Sequence, residues 1–347
     1  MKGSSGNLAD RLLPAPLDGG FRMEGYWVWC GSVVLGEDGR YHMFASRWPK
    51  SLPMHPGWLV SSEIVRAVSV FPEGPYTFQE VVLKQRGAAC WDGKMTHNPH
   101  IVKHDGCYLL YYTGSTYEGS CCGEGEALTL EDTRVLAARS NKRIGLAVSK
   151  SVFGPWERMD RPILETRPGK FDSFLTSNPA PCVHPDGSVL LVYKGRGRTG
   201  PGLADFGRMN FGAARASHYR STYISQTDAP IFPEAECHLE DPFIWQSAEG
   251  YEMIAKDMDG RWCGEAHAGI HAVSPNGLDW RLCDPPQAYS RKVLWEDGAY
   301  RVMGSLERPF LLFHNGVPTH LFAATADGPG GFTNASRTWN MVIPLRH

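Results

Sequence analysis

The sequence predicts an all-β protein, a five-bladed β-propeller of four-stranded antiparallel blades. Three observations lead there: a hairpin pattern that recurs five times, a second pattern that follows each hairpin, and few helix signals along 347 residues. The hairpins are SVVLGEDGRYHMFAS (32–46), PHIVKHDGCYLLYYTG (99–114), PAPCVHPDGSVLLVYKG (179–195), PFIWQSAEGYEMIAKD (242–257) and PFLLFHNGVPTHLFAAT (309–325). In each, DG, EG or NG joins two apolar or alternating runs, which is tight-turn chemistry. Self-similarity at a regular period marks a repeat architecture.

The second pattern reads as a third strand, a Ser- or Gly-containing turn and an outer aromatic strand. It appears as RAVSVFPEGPYTF (66–78), IGLAVSKSVFGPWERM (144–159), FGAARASHYRSTYIS (211–225), IHAVSPNGLDWRL (270–282) and the shorter ATADGPGGF (324–332). Four strands per unit and five units make a propeller. The blades fall at about 24–85, 92–165, 172–232, 236–290 and 300–347, and no linker divides them, so a single domain is expected. Insertions interrupt two blades between their second and third strands. Residues 115–143 carry a stretch, 124–140, that predicts at least one helical turn; 196–210 is a Gly-rich loop.

Composition narrows the partners. A net charge of −2 gives no support to nucleic-acid binding. No run of about 18 apolar residues predicts a membrane span. The N-terminus lacks the apolar stretch of a signal peptide, which favours a cytoplasmic protein. Nine cysteines without a CxxC pair fit no zinc or redox motif and read as free thiols. His267 and His271 lie four apart, a spacing that a helix would bring together on one face, but the region reads as a strand, so no metal site is expected there. No metal and no cofactor is expected, and the oligomeric state is left open.

Aligning the hairpins aligns the residues that precede them. The innermost strands start YWVWCGS, KMTHNP, FLTSNP, CHLEDP and GSLERP. The position before the Pro, or its equivalent, is Cys30, Asn98, Asn178, Asp241 and Arg308; one residue earlier stand Trp29, His97, Ser177, Glu240 and Glu307. Polar and charged residues in an otherwise apolar framework are costly unless paired or solvated. They predict a central cavity or a self-satisfied plug in which Arg308 pairs with Asp241 or Glu240. Strand alternation points Glu240 and Asp241 to opposite sides, so one of them should face a ligand. The second strands return to the same rim with Arg47, Thr113, Lys194, Lys256 and Asp257. These cations either await a carboxylate or sulfate on the substrate or balance the acids. Glu24, Asp92 and Asp172 recur seven residues before the Pro position and either reach the cavity mouth or cap a turn.

Carboxyls from different blades suit glycosidic cleavage, which places one acid and one base or nucleophile across the bond. Glu240 with Glu307 is one candidate pair; Asp241 with an acid from an earlier blade, such as Asp172, is another. His97 can act as acid or base or bond a hydroxyl. Trp29, Arg47, Asn98, Asn178, Lys194, Lys256 and Arg308 complete the candidate sugar contacts.

The blade framework, with PHIV-DG-YLLYYTG, SNPA and EDPFIW, resembles the five-bladed propeller glycosidases of glycoside hydrolase families 43, 32, 68 and 117 over about residues 24–340. The resemblance implies a glycoside hydrolase of carbohydrate metabolism or polysaccharide degradation, with an Asp opening the first and third blades and a Glu opening the fourth. Glu240 then matches the fourth-blade general acid. Cys30 and Asn178 replace the two aspartates, so either the carboxylates come from displaced positions (Glu24, Asp172, Asp241, Glu307) or the chain is a divergent branch. The family 117 pattern, with a His as acid, keeps His97 and His238 in play. The expected activity is exo-acting hydrolysis of a glycan, with an acidic or sulfated sugar one option. Two readings compete with it: a carbohydrate-binding propeller without catalysis, and a scaffold that uses the 115–143 insertion for protein contacts.

Overall fold

The computed structural model describes residues 7–121, 127–232, 238–331 and 334–346, and these form five antiparallel sheets around one axis. The innermost strands are Tyr26–Leu35, Met95–His104, Leu175–Val183, Leu239–Ser247 and Ser305–His314. Four sheets have four strands in sequence order outward from these. Inner strands are covered on both faces, by the blades before and after, which is why they read as apolar runs rather than alternating ones.

The fifth blade differs from the pattern expected at 324–332. Its second strand, Val317–Ala326, takes up the start of that stretch, and its third strand is Thr338–Pro344. The outer edge of this strand is paired by the chain's N-terminal segment. Phe21 and Asn340 exchange backbone hydrogen bonds of 2.8 and 3.0 Å, and Leu12 bridges Leu345. The first residues thus cover an edge that would otherwise expose unpaired backbone groups. An apolar cluster that includes Phe243, Phe310, Phe322, Val342, Val28 and Met43 runs from blade four through blade five into blade one. Each such buried side chain contributes about 1.5–3 kcal/mol, so the ring is closed by core packing as well as by strand pairing.

One backbone feature recurs five times. Every inner strand slips register at its ring position, between Trp29 and Ser32, His97 and His100, Ser177 and Ala180, Glu240 and Phe243, and Glu307 and Phe310. At each slip one non-glycine residue has a positive φ: Cys30 (55°), Asn98 (52°), Asn178 (51°), Asp241 (58°) and Arg308 (51°). Asn and Asp tolerate this conformation; Cys and Arg hold it against a steric cost. In four blades proline follows, where the ladder no longer needs its N–H. The bulge re-aims consecutive side chains toward the axis. Glu240 and Asp241 therefore both face the central pocket, contrary to the alternation expected of a regular strand.

Two short helices lie on the rim. Helix α1 (Met54–Ser61) belongs to an insertion in blade one, and helix α2 (Thr133–Ser140) to the insertion in blade two, where a helix was expected. Asp132 caps α2 by accepting from the Arg134 N–H at 2.8 Å. The two helices pack on each other through Leu59, Val60, Val135 and Ala138. Residues 124–126 of the expected helical stretch, and Cys122 and Cys237, lie outside the described residues. The seven described cysteines form no disulfide.

Candidate active site

Four of the five ring positions, Asn98, Asn178, Asp241 and Arg308, form the floor of a pocket of about 310 Å³ on the propeller axis, and Cys30 is bonded to them without lining it. They are tied to one another across the blades. The Cys30 thiol donates to Asn98 Oδ1 (2.7 Å), Asn98 Nδ2 to Asn178 Oδ1 (2.7 Å), and Asn178 Nδ2 to Asp241 Oδ1 (2.6 Å). The Arg308 backbone N–H donates to Asp241 Oδ2 at 3.2 Å, and its guanidinium lies 3.7 Å from Oδ1. The plug expected from sequence, with Arg308 against Asp241, is this floor. Burial pushes the Cys30 thiol up, so it stays protonated and replaces no carboxylate.

One residue earlier along the inner strands, Trp29, His97, Glu240 and Glu307 line the pocket, while Ser177 of blade three is buried outside it. Glu240 accepts from Lys194 Nζ at 2.5 Å and has Lys256 Nζ at 4.0 Å. Lys256 also makes a close ion pair with Glu307. One buried ammonium therefore stands between two carboxyls from adjacent blades. Burial works against a charge on Glu240, but Lys194, Lys256 and Arg196 outweigh it and hold its carboxyl well below the usual range. Glu307 goes the other way. Burial pushes it up, Lys256 partly offsets this, Asp241 and Glu240 add to it, and it ends at about 7. Asp241 is raised too, by burial and then by Glu240. The three acids of the cluster titrate as a coupled group, in which the lysines hold the Glu240 carboxyl down while burial and the neighbouring acids raise Asp241 and Glu307.

His97 is buried, with Nδ1 2.8 Å from Ser62 Oγ and Nε2 3.7 Å from Cys30 Sγ. Burial, then Arg308 and Lys142, lowers its pKa well below the usual value, so it is a neutral imidazole. Its ring stacks on Trp58 of α1 at 4.7 Å.

The structure brings together Trp29, His97, Asn98, Asn178 and Lys194 with Glu240, Asp241, Glu307 and Arg308 around this pocket. Lys256 sits directly behind the carboxyls, almost wholly buried. Five expected residues, Asp172, Asp92, Arg47, Glu24 and His238, lie outside this pocket. Asp172 is buried outside the pocket, where it accepts from Tyr193 Oη (2.7 Å) and from Arg167 Nε (3.0 Å). Asp92 does the same job one blade earlier with Tyr112 (2.7 Å) and Arg86 (2.6 Å). Both acids tie a loop to the second strand of their own blade. Arg47 is spent on Glu63 at 2.9 Å and lies over Tyr26 and Phe78. Glu24 lines a separate groove on the side of the molecule, and His238 lies off the pocket near Asp259.

The pocket walls hold residues not predicted from the repeat: Trp48, His55, Trp58, Arg139, Lys142, Arg196 and Phe206. All but Trp48 and Arg196 come from the segments that join second to third strands in blades one to three. A positional signal existed, since 115–143 and 196–210 leave the blades at the same rim as the ring residues. The matching blade-one segment, which carries α1, is short and went unmarked.

No family model matches the sequence, and no curated protein matches it. The structure, by contrast, resembles solved propellers along nearly its whole length. One is Zg3597, a family 117 glycoside hydrolase of the marine bacterium Zobellia galactanivorans, at 14% identity and a TM-score of 0.66, covering 97% of this chain and 89% of that one. Another is BT0996, solved as an RGII complex, at 14% identity and a TM-score of 0.68, covering 96% and 92%. A third is the β-xylosidase/α-arabinofuranosidase CoXyl43 from a compost metagenome, at 15% identity and a TM-score of 0.59, covering 96% of each chain. This chain has the five-bladed propeller fold of these glycoside hydrolases. Identities this low speak for the fold alone.

Proposed function

We propose that this chain is a glycoside hydrolase that removes a terminal sugar from a glycan, with Glu307 and Glu240 as its working carboxyls. The observation that carries the reading is the divergence of these two groups in one pocket. Two carboxyls pushed to opposite protonation states supply an acid and a base. Glu307, raised to about 7, is the proton donor to the glycosidic oxygen. Glu240, held ionised, is the carboxylate facing the positive charge that develops at the anomeric carbon. This reverses the role that family resemblance implies for Glu240. The pocket is at the small end of ligand sites, which suits one terminal ring rather than a chain passing through. Trp29, Trp48 and Trp58 are among the side chains that line the pocket, and their apolar edges suit a sugar's C–H surface.

The test is release of sugar from a panel of oligosaccharides. Glu307→Gln and Glu240→Gln should each lower turnover on a responsive glycan by about 10²–10⁴-fold, with circular dichroism unchanged. Full activity in both variants sinks the assignment. The second reading, a binding propeller without catalysis, is favoured by the thiol and amides at Cys30, Asn98 and Asn178. A glycan that binds without any product would select it.

A further inference from the structure

Three cations of the pocket pair directly with its acids, and three others make no such pair, although Arg196 and Lys142 still feel the charge of Glu240. Lys194 meets Glu240, Lys256 meets Glu307, and Arg308 meets Asp241. Arg139, Lys142 and Arg196 also line the cavity, and among the described residues none of their side chains has a hydrogen bond or ion pair. What they touch is aromatic. The Arg139 and Arg196 guanidinium carbons lie 5.4 and 4.7 Å from the Phe206 ring centre, and Lys142 Nζ lies 5.1 Å from that of Trp58. Lys142 is only 4% exposed.

Holding like charges together in a half-dry wall is costly unless something offsets them. Burial, then the neighbouring Lys194 and the two arginines, lowers the Lys142 pKa well below the usual lysine value. Burial, then Arg196, lowers that of Arg139. The cations come from two sources: the last turn of α2 (Arg139) with Lys142 two residues past its end, and the last residue of strand Val189–Arg196. They therefore converge by tertiary structure, not by a local run of basic sequence.

We propose that Arg139, Lys142 and Arg196 form a subsite for an anionic substituent, a carboxylate or a sulfate ester, carried by the sugar that enters this pocket. The inference rests on the glycan reading of the site but not on hydrolysis. A bare oxyanion would use the three cations and leave the rings idle. A charged sugar uses both: its C–H faces meet Trp58 and Phe206 while its anionic group meets the charges, through short charge-assisted hydrogen bonds. Arg47, Lys194, Lys256 and Arg308, the cations that the sequence singled out for this purpose, are all committed to acids of the protein.

Binding is followed by NMR titration at low salt. The probes are glucuronate, galacturonate and galactose 6-sulfate, with glucose and galactose as neutral counterparts and inorganic sulfate as the free ion. At least one charged sugar should bind about tenfold or more tighter than its neutral counterpart, and its affinity should weaken as salt rises. Lys142→Met and Arg196→Gln should each erase that preference, Lys142→Arg should restore much of it, and Glu307→Gln should keep it. Charged-sugar binding retained in an inactive protein would leave the subsite standing while the hydrolase reading fell. Equal affinity for charged and neutral sugars, no binding of any charged sugar, binding of inorganic sulfate alone, or an unchanged preference in Lys142→Met and Arg196→Gln would overturn the subsite.

Discussion

Blades one to three and blades four and five share one backbone and divide the chemistry. All five inner strands bulge at the same place with the same positive φ. In the first three, the bulged residue is Cys30, Asn98 or Asn178, a neutral group whose bonds run to its neighbours around the floor. In the last two it is Asp241 or Arg308, each preceded by a glutamate. The first three blades instead contribute their inter-strand segments, with α1, α2 and the Phe206 loop, and so build the wall. The comparison teaches that the repeat fixes where a side chain points but not what it is for. One half of the ring became a carboxyl centre, the other a support for walls.

The sharpest way to break this division is to remove the ammonium that holds the carboxyl half together. Lys256→Met leaves Glu240 and Glu307 without their shared counter-ion in a buried place. Stranding a buried charge typically costs about 3–5 kcal/mol, an upper bound here because Lys194 still holds Glu240 and Glu307 can take up a proton. Urea denaturation should show a loss up to that order, largest at high pH where Glu307 must be charged, together with loss of any glycosidase activity. A mutant as stable as the parent would show that Lys256 does not anchor the pair.

The next effect is on pH. Glu307 sits at about 7, above the carboxyl's ordinary 4.5, so its donor form is lost as pH rises through 7. The rate should fall about tenfold per unit above that point. Glu240 lies below its ordinary value, so no loss should appear between about pH 4.5 and 7. The same shift acts on stability. A raised folded pKa contributes stability that is complete below the unfolded value and is lost as pH rises through the folded one. The native state should therefore weaken, for this group, between about pH 4.5 and 7. Glu307→Gln should remove that dependence, which denaturation at pH 5 and pH 8 will read. A flat profile in the parent protein would contradict the raised carboxyl.

Much of the fold was legible because the hairpin turns and the Asn-Pro, Asp-Pro and Arg-Pro steps recur in register. The same alignment located the floor and Glu240 and Glu307. The bulge was not legible. Residue order gives no direct sign of a register slip, so strict alternation placed Glu240 and Asp241 on opposite faces. The walls were hidden for another reason: segments outside the repeat have no second copy to be aligned with. Arg139, Lys142 and Phe206 could be placed only by the packing of α2 and the blade-three loop. Asp172 misled because a periodic acid near the rim satisfies the pattern of a site and of a loop tether equally well. Tyr193 and Arg167 decide between them.

That last distinction supplies the mildest of the perturbations. Asp172 and Glu307 are both buried carboxyls near the start of an inner strand, yet one lies outside the pocket and one lines it. Asp172→Asn keeps the shape and removes the charge that Tyr193 and Arg167 address. Leaving such hydrogen bonds unmet costs about 1–3 kcal/mol. The Arg167 side chain is partly exposed and can turn to Asp228, which it already approaches at 3.3 Å, so the lower end of that range is expected. Turnover per folded molecule and affinity for any glycan should stay at the parent level, because no pocket residue loses a partner. If Asp172→Asn instead lowers turnover as steeply as Glu307→Gln, the blade-three acid acts in the chemistry, and the division between the two halves of the ring is wrong.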